Sequence, residues 1–334
     1  MHQLEQRTIG RTGQHLSVVG LGTWQLGADW GQVDEDDALA LLAAATTSGV
    51  TFLDTADVYG DGRSERLIGR FLREQRPAAG TDVLVATKMG RRADPHDPAA
   101  YTLDNFRRWT DRSRQNLGVD TLDLVQLHCP PSAVYSSAAV YDALDTLVAE
   151  RRVAAYGVSV ETCDEALTAI ARPHVASVQI ILNPFRRKPL ERVLPAARRA
   201  GVGIIARVPL ASGLLSGRYG PDTVFAADDH RTFNRHGEAF DVGETFSGVD
   251  YATGVAAARE FAALAPDGAT PAQTALRWIV QQPGVTTVIP GARTAAQARA
   301  NAAAALLPEL SGTTLARIAE LYDTRIRARV HHRW

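Results

Sequence analysis

Asp54, Tyr59, Lys88 and His128 bring together a carboxylate, a phenol, an ammonium and an imidazole. Such a set suits hydride reduction of a carbonyl. Negative charge develops on the oxygen while a proton must reach it, so an acid and a hydrogen-bond donor are needed at one atom. Tyr59 is expected to be the acid. A free phenol titrates near about 10, and an adjacent ammonium favours the phenolate and draws that value toward the working range, each unit being worth about 1.4 kcal/mol. Lys88 is expected to supply the ammonium, and Asp54 to keep it charged and in place. His128 is expected to orient the carbonyl by donating to the same oxygen.

Residues this far apart need elements to gather them. Asp54, Lys88 and His128 each end an apolar segment rich in β-branched residues, over 50–53, 82–87 and 122–127, which reads as a short buried strand. Helical spacing and start signals lie between them at 34–48, 64–73 and 102–116, the first opening with an acidic run suited to a helix N-terminus. Alternation of this kind marks parallel β/α units. Further strands at 18–21, 155–159, 177–181, 203–206 and 286–289 bring the number to eight, with helices at 138–150, 163–171, 190–200, 251–264, 271–281 and 294–307. Eight parallel strands predict an α/β fold, a (β/α)8 TIM barrel, which needs roughly 250 residues and carries its chemistry at the strands' C-terminal ends. Tyr59 sits on the loop just after Asp54.

All of 1–334 is read as one barrel domain. A β-hairpin over 7–18 plugs its bottom, an extra helix separates the seventh and eighth strands, a long loop 211–249 lies on the strand C-terminal side, and a helix covers 315–329. Each chemical residue also has a plain reading when taken alone. Asp54 suits a turn or helix cap, Tyr59 a packing aromatic, Lys88 a surface charge and His128 a structural imidazole. Joint placement at strand ends favours the chemical reading.

Composition narrows the partner. The 334 residues carry 36 basic and 37 acidic side chains, a net charge of −1 spread along the chain, so nothing predicts nucleic acid or anionic lipid. A small molecule, a carbonyl or alcohol, is the expected partner, and no pattern bears on oligomeric state. Hydrophobic residues make up 45%, enough for a substantial core, and no apolar run approaches the roughly 20 residues of a membrane span. The N-terminus lacks a signal-peptide pattern and Cys129 and Cys163 are the only cysteines, which predicts the cytoplasm. Asp228, Asp229, His230 and His236 invite a metal reading, but no H-x-x-x-H spacing or cysteine pair accompanies them, and no metal is expected.

Asp54-Thr55-Ala56 followed by Tyr59-Gly60 and Ser64-Glu65, then Thr87-Lys88 and Leu127-His128, resembles the aldo-keto reductase superfamily over nearly the whole chain. The resemblance implies a (β/α)8 barrel that reduces an aldehyde or ketone with NADPH, the four residues acting as above. A G-x-G-x-x-G fingerprint is absent, Gln25 and Ala206 standing where third glycines belong, so phosphates must be held elsewhere. Barrels use the loops after their seventh and eighth strands. One candidate turn includes Pro209, Leu210, Ser212, Gly213, Leu215 and Gly217; the other, 290–294, carries Gly291 and Arg293 into a helix, with Arg293 expected on the 2'-phosphate.

The resemblance adds Gln297 and Asn301 at the adenine, Ser159 and Gln179 at the nicotinamide carboxamide, and Gly22, Thr23 and Trp24 beside Asp54 in the active-site lining. Trp24 and Trp30 suit an aromatic substrate wall or, equally, buried packing. Three positions depart from the family pattern: Val160 replaces an asparagine, Arg207 an aromatic ring that stacks on the nicotinamide, and Gly291 a lysine. The guanidinium plane of Arg207 can stack similarly. With Arg293 as the main phosphate grip, NADP(H) is expected and NAD(H) stays open. Two other functions fit parts of the set: a redox-sensing subunit like those that accompany potassium channels, and an aldolase using Lys88 as a Schiff base. The complete tetrad weighs against the first and a charge-stabilised lysine against the second. Specificity is expected in the loops after the first, fourth and seventh strands.

Overall fold

The computed structural model describes residues 3–27, 33–74 and 82–334. Trp30 lies outside them. Strands β1 (Gln6–Thr8) and β2 (His15–Ser17) pair antiparallel with Arg7 opposite Leu16. The turn between them needs Gly10, whose φ is +52° and where a Cβ would fall 1.9 Å from the Ala176 carbonyl oxygen. Ile9 and Leu16 thereby enter the barrel floor, packing with Phe52, Leu84, Leu124 and Ile205. The hairpin lies against the floor of the barrel.

Eight parallel strands follow: β3 (Leu21–Gly22), β4 (Phe52–Asp54), β5 (Leu84–Met89), β6 (Leu122–His128), β7 (Val153–Ser159), β8 (Ser177–Ile181), β9 (Gly203–Arg207) and β10 (Thr287–Val288), neighbours in chain order. Bridges Val19–Val288 and Gly22–Gly291 bring the last strand back to the first, with Gly20 N donating to Val288 O at 2.8 Å. Strand periodicity then sorts the side chains. Phe52, Leu84, Leu124 and Ile205 fill the lower interior, and two or four residues on, on the same strand face, come Asp54, Lys88, Gln126, His128 and Arg207. An apolar floor carries a polar upper layer.

Helices α1 (Glu35–Thr47), α2 (Arg63–Glu74), α3 (Leu103–Leu117), α4 (Ala138–Ala149), α5 (Cys163–Ile170) and α6 (Val193–Ala200) alternate with these strands. Their ends obey local chemistry. Asp34 and Thr102 cap α1 and α3, a Thr162–Glu165 capping box starts α5, and Gly118 at φ +71° ends α3. After β9 the chain makes the excursion read as a featureless loop. It contains 3-10 turns at Ala211–Ser216, Val242–Glu244 and Phe246–Gly248 and the single-turn helix α7 (His230–Phe233). These are too short to leave a period in the sequence.

Helices α8 (Tyr251–Ala262), the extra one, α9 (Pro271–Val280) and α10 (Ala295–Ala303) complete the ring. The predicted helix 315–329 is instead α11 (Gly312–Leu321), a π turn Tyr322–Ile326 and α12 (Arg327–Val330). Tyr322, Ile326 and Val330 are all buried at a four-residue spacing; an α-helix turns every 3.6, and one wider turn keeps them on one side. Among the described residues no helix is long and apolar enough to cross a membrane.

Candidate active site

Register places the polar layer. Gly22 lies opposite Asp54, Lys88 opposite Gln126, His128 opposite Ser159, and Ser159 opposite Gln179, so adjacent strands deliver these residues to one level. Lys88 is 1% exposed, and its Nζ donates to Asp54 Oδ1 at 2.6 Å, Thr55 O at 2.9 Å and Tyr59 Oη at 3.2 Å. All three ammonium protons are used. Asp54 Oδ2 accepts from Gln126 Nε2 at 3.1 Å and Gln179 Nε2 at 2.8 Å, so the carboxylate is equally well held. Behind it, Thr23 Oγ1 donates to Asp54 O, and Ser64 Oγ donates to Thr23 Oγ1 at 2.8 Å.

The electrostatics correct one expectation. Burial opposes charge on Lys88, yet Asp54 and Tyr59 outweigh it and raise its pKa; the lysine stays an ammonium. Tyr59 was expected to be drawn downward by that ammonium. Instead burial dominates, Asp54 offsets part of the pull of Lys88, and the phenol titrates above its ordinary value. It therefore holds its proton at neutral pH. The ammonium beside it still stabilises a phenolate once formed. For His128, burial and then the cations Arg91, Lys88 and Arg207 push the pKa well below the usual histidine value. Its ring is neutral and stands edge-on to Tyr59, centroids 6.0 Å apart, with Nδ1 buried and without a hydrogen-bond partner.

From this centre a cleft of about 620 Å³ runs outward between the loops after β9 and β10. Gly22, Thr23, Trp24, Asp54, Tyr59, Gln179 and Arg207 line one end, and Pro209, Leu210, Ser212 and Gly213 its side. Gly291, Arg293, Gln297 and Asn301 line the other. Val208, Ala211, Ser212 and Gly213 have φ between +47° and +94°, a tight turn in which Ala211 N donates to Val208 O at 3.1 Å and Gly213 N to Leu210 O at 2.9 Å. Gln297 Oε1 accepts from Arg293 N at 2.8 Å, and Asn301 Nδ2 donates to Gly291 O at 3.2 Å, fixing the entry to α10. The cleft thus joins a polar end at Asp54 and Tyr59 to an arginine at a helix start.

Five predicted residues lie off this lining: Lys88 and His128, both buried beside Tyr59, and three others. Leu215 is in the core, Gly217 ends the 3-10 turn at φ +72°, and Ser159 is buried, its Oγ accepting from Cys129 Sγ at 3.4 Å. Arg207 reaches the cleft already engaged: Nη2 is 2.8 Å from Glu161 Oε2 and Nη1 3.4 Å from Glu244 Oε1, while Arg91 lies 3.6 Å from the same Glu244 oxygen. Burial, reinforced by Glu244, pushes Glu161 up to about 7 against the pull of Arg207, whereas Arg207 and Arg91 overcome burial to hold Glu244 low. Cys129, Glu161 and Glu244 stand close enough to share a metal, but the guanidinium of Arg207 already supplies the positive charge there.

Sequence reasoning missed the residues that complete the aromatic wall. Trp24 stacks with Tyr59 at 6.1 Å and meets His230 at 5.2 Å and Phe240 at 6.0 Å, both from the 208–249 excursion. Burial holds His230 at about 4, and Asp229 caps α7 and pairs with Arg231. Gln25 was also missed; its side chain occupies the space a Cβ on Gly291 would take, 2.1 Å away.

A parallel barrel with a buried ammonium–carboxylate pair under a phenol, beside a dinucleotide-sized cleft, defines an oxidoreductase class. Residues 18–323 match the Aldo/keto reductase family, and the chain belongs to it. It is 29% identical over 316 residues to Aldo-keto reductase YhdN of Bacillus subtilis, covering 93% of this chain and 90% of that protein. Among solved structures it is similar to a glycerol dehydrogenase from Gluconobacter oxydans, with 27% identity, a TM-score of 0.76 and 96% of both chains covered. An aldo-keto reductase from Klebsiella pneumoniae in complex with NADPH shares 25% identity and a TM-score of 0.70, over 97% of this chain and 99% of that one. The family uses NADP(H).

Proposed function

We propose that this protein reduces the carbonyl of an aldehyde or ketone to an alcohol with NADPH, and that Tyr59, Lys88, Asp54 and His128 carry the proton chemistry. The observation behind this reading is the bridge from Asp54 through Lys88 to Tyr59, 2.6 and 3.2 Å at the cleft. When bound, NADPH supplies the hydride to the carbonyl carbon. As charge moves onto the oxygen, Tyr59 gives up its phenolic proton to it, forming the alcohol O–H. The phenolate left behind is stabilised by Lys88, which Asp54 holds charged. His128, neutral, donates one N–H to the same oxygen and fixes the carbonyl's orientation. A lysine held as an ammonium is a poor Schiff-base nucleophile, which disfavours the aldolase reading.

Arg293, with Gln297 and Asn301, is assigned to the 2'-phosphate and adenine end, and Arg207 to the nicotinamide end, held by its two carboxylates. The likeness to a glycerol dehydrogenase makes small polyols and hydroxy-aldehydes the first substrates to assay. Tyr59→Phe tests the core of the reading. Turnover of NADPH with a responsive aldehyde is expected to fall by roughly 10²–10⁴-fold, with NADPH binding retained. Near-normal turnover in that variant would remove Tyr59 as the acid.

A further inference from the structure

Trp334 is only 6% exposed although the segment leading to it is largely on the surface. Its indole sits inside the excursion 208–249. Nε1 donates to Asp241 Oδ1 at 3.1 Å and Oδ2 at 3.2 Å, and the Arg186 guanidinium lies over the ring, 3.5 Å from the centroid. The seat is shaped for it: a Cβ on Gly248 would fall 2.3 Å from the ring, and one on Gly243 2.9 Å from it. Only residues without a side chain leave room.

Both contacts lead to the cleft. Asp241 Oδ1 also accepts from Gly243 N at 2.7 Å, capping the turn Val242–Glu244 that presents Glu244 to Arg207 and Arg91. The same turn is tied to the phosphate-side segment, since Ser212 Oγ donates to Glu244 O at 2.9 Å and accepts from Phe246 N at 3.0 Å. On the other side, Arg186 Nη2 donates to Glu161 O at 3.0 Å, steadying the residue that pairs with Arg207. Trp334 thus touches the supports of both carboxylates that hold Arg207. Beside the indole the two segments part, around a hollow of about 540 Å³ lined by Arg235, Val249, Arg329 and Arg333. The exposed Arg329–Asp250 pair spans the gap at 2.9 Å.

We propose that Trp334 is a positioning residue for the cofactor cleft, a latch that fixes the 208–249 strap and, through Asp241 and Arg186, sets the two carboxylates that orient Arg207. The proposal rests on reading the cleft as the NADP(H) site. If the strap must be seated before the dinucleotide is held, apparent affinity scales with the seated fraction. Removing the indole lowers that fraction without touching a group that meets the cofactor.

The test is NADPH titration of the full chain by nucleotide fluorescence, with steady-state kinetics alongside. Trp334→Ala is expected to raise the NADPH Kd and KM about tenfold, corresponding to a seated fraction of about one-tenth. Its kcat should stay within about twofold or rise, because product release or lid opening limits turnover in many enzymes. Trp334→Phe, which keeps the stack on Arg186 and loses the N–H, should recover most of the affinity. Asp241→Ala, with the indole intact, should lose about threefold and serves if Trp334→Ala does not fold. Leu16→Ala, in the barrel floor, is the control for general destabilisation and should lower Tm while leaving Kd unchanged. A Trp334→Ala Kd within twofold of the unmodified protein, or a Leu16→Ala variant that loosens NADPH as much, overturns the latch. Failure of the unmodified protein to bind NADPH would instead overturn the reading of the cleft.

Discussion

Two buried charge clusters share the mouth of the barrel and are built in opposite ways. Around Lys88 every partner comes from β4, β6, β8 or the short connection after β4, and each polar atom of Asp54 and Lys88 is matched. Around Arg207 one carboxylate, Glu244, arrives on the long excursion, and Arg207 Nε is buried without a partner. Strands and one short connection hold the proposed proton-transfer centre. The proposed cofactor side is held in part by a long excursion of single turns. A reductase needs both, since the chemistry demands fixed geometry and each turnover demands nucleotide exchange.

The comparison breaks first at Asp54. Asp54→Ala strands the Lys88 ammonium among buried groups, and urea unfolding should show a loss of about 3–5 kcal/mol. A loss under about 1 kcal/mol would mean the centre is no more tightly wired than a surface pair.

Asp57 is the exception on the rigid side and gives a pH signature. It is 1% exposed with Oδ1 unpartnered, and burial followed by the Glu65 charge pushes it from 3.8 up to about 7. Its folded-state pKa is above the unfolded one, so between pH about 4 and 7 the folded chain keeps a proton that the unfolded chain releases. Stability from this group is then greatest below about pH 4, falls as pH rises, and reaches its minimum above about 7. Asp57→Asn should flatten that slope and add about 2–4 kcal/mol at pH 8. Parallel stability–pH curves for the two proteins would show that Asp57 titrates normally.

On the adjustable side the effects should be smaller. Glu244→Ala leaves Arg207 with Glu161 and should cost about 1–3 kcal/mol, while weakening NADPH more than it slows the committed step. Equal losses for Glu244→Ala and Asp54→Ala would erase the distinction between the clusters. Least disruptive is Arg293→Ala at the exposed far end, expected to leave stability within about 0.5 kcal/mol and to weaken NADPH by about tenfold, one charge-assisted contact. NADH should barely change; an equal loss for both nucleotides would refute the phosphate assignment.

Much of the site was legible because its causes are local. Asp54, Lys88 and His128 announced themselves as polar residues at the ends of apolar β-branched runs, and the two-residue period of a strand then fixes which face they share with Phe52, Leu84 and Leu124. Helix starts at Asp34 and Thr102 were legible from capping chemistry for the same reason. The tetrad's titration was not. That an ammonium lies beside Tyr59 could be read from residue types, but that burial outweighs it depends on how much protein surrounds the hydroxyl. His230 and Phe240 were hidden for a different reason, because they sit on single turns whose hold comes from distant partners.

Residue order alone settled the alternation of strands and helices, the inward parity of the reactive groups and the chemistry they are capable of. Those follow from backbone geometry and side-chain type within a few residues. Tertiary structure decided which charges meet, such as Arg207 with Glu161 and Glu244 and the Trp334 indole with Asp241. Ring closure and the return of the excursion bring those groups together, and the strength of each pair is set by the water that packing excludes, which no local pattern records.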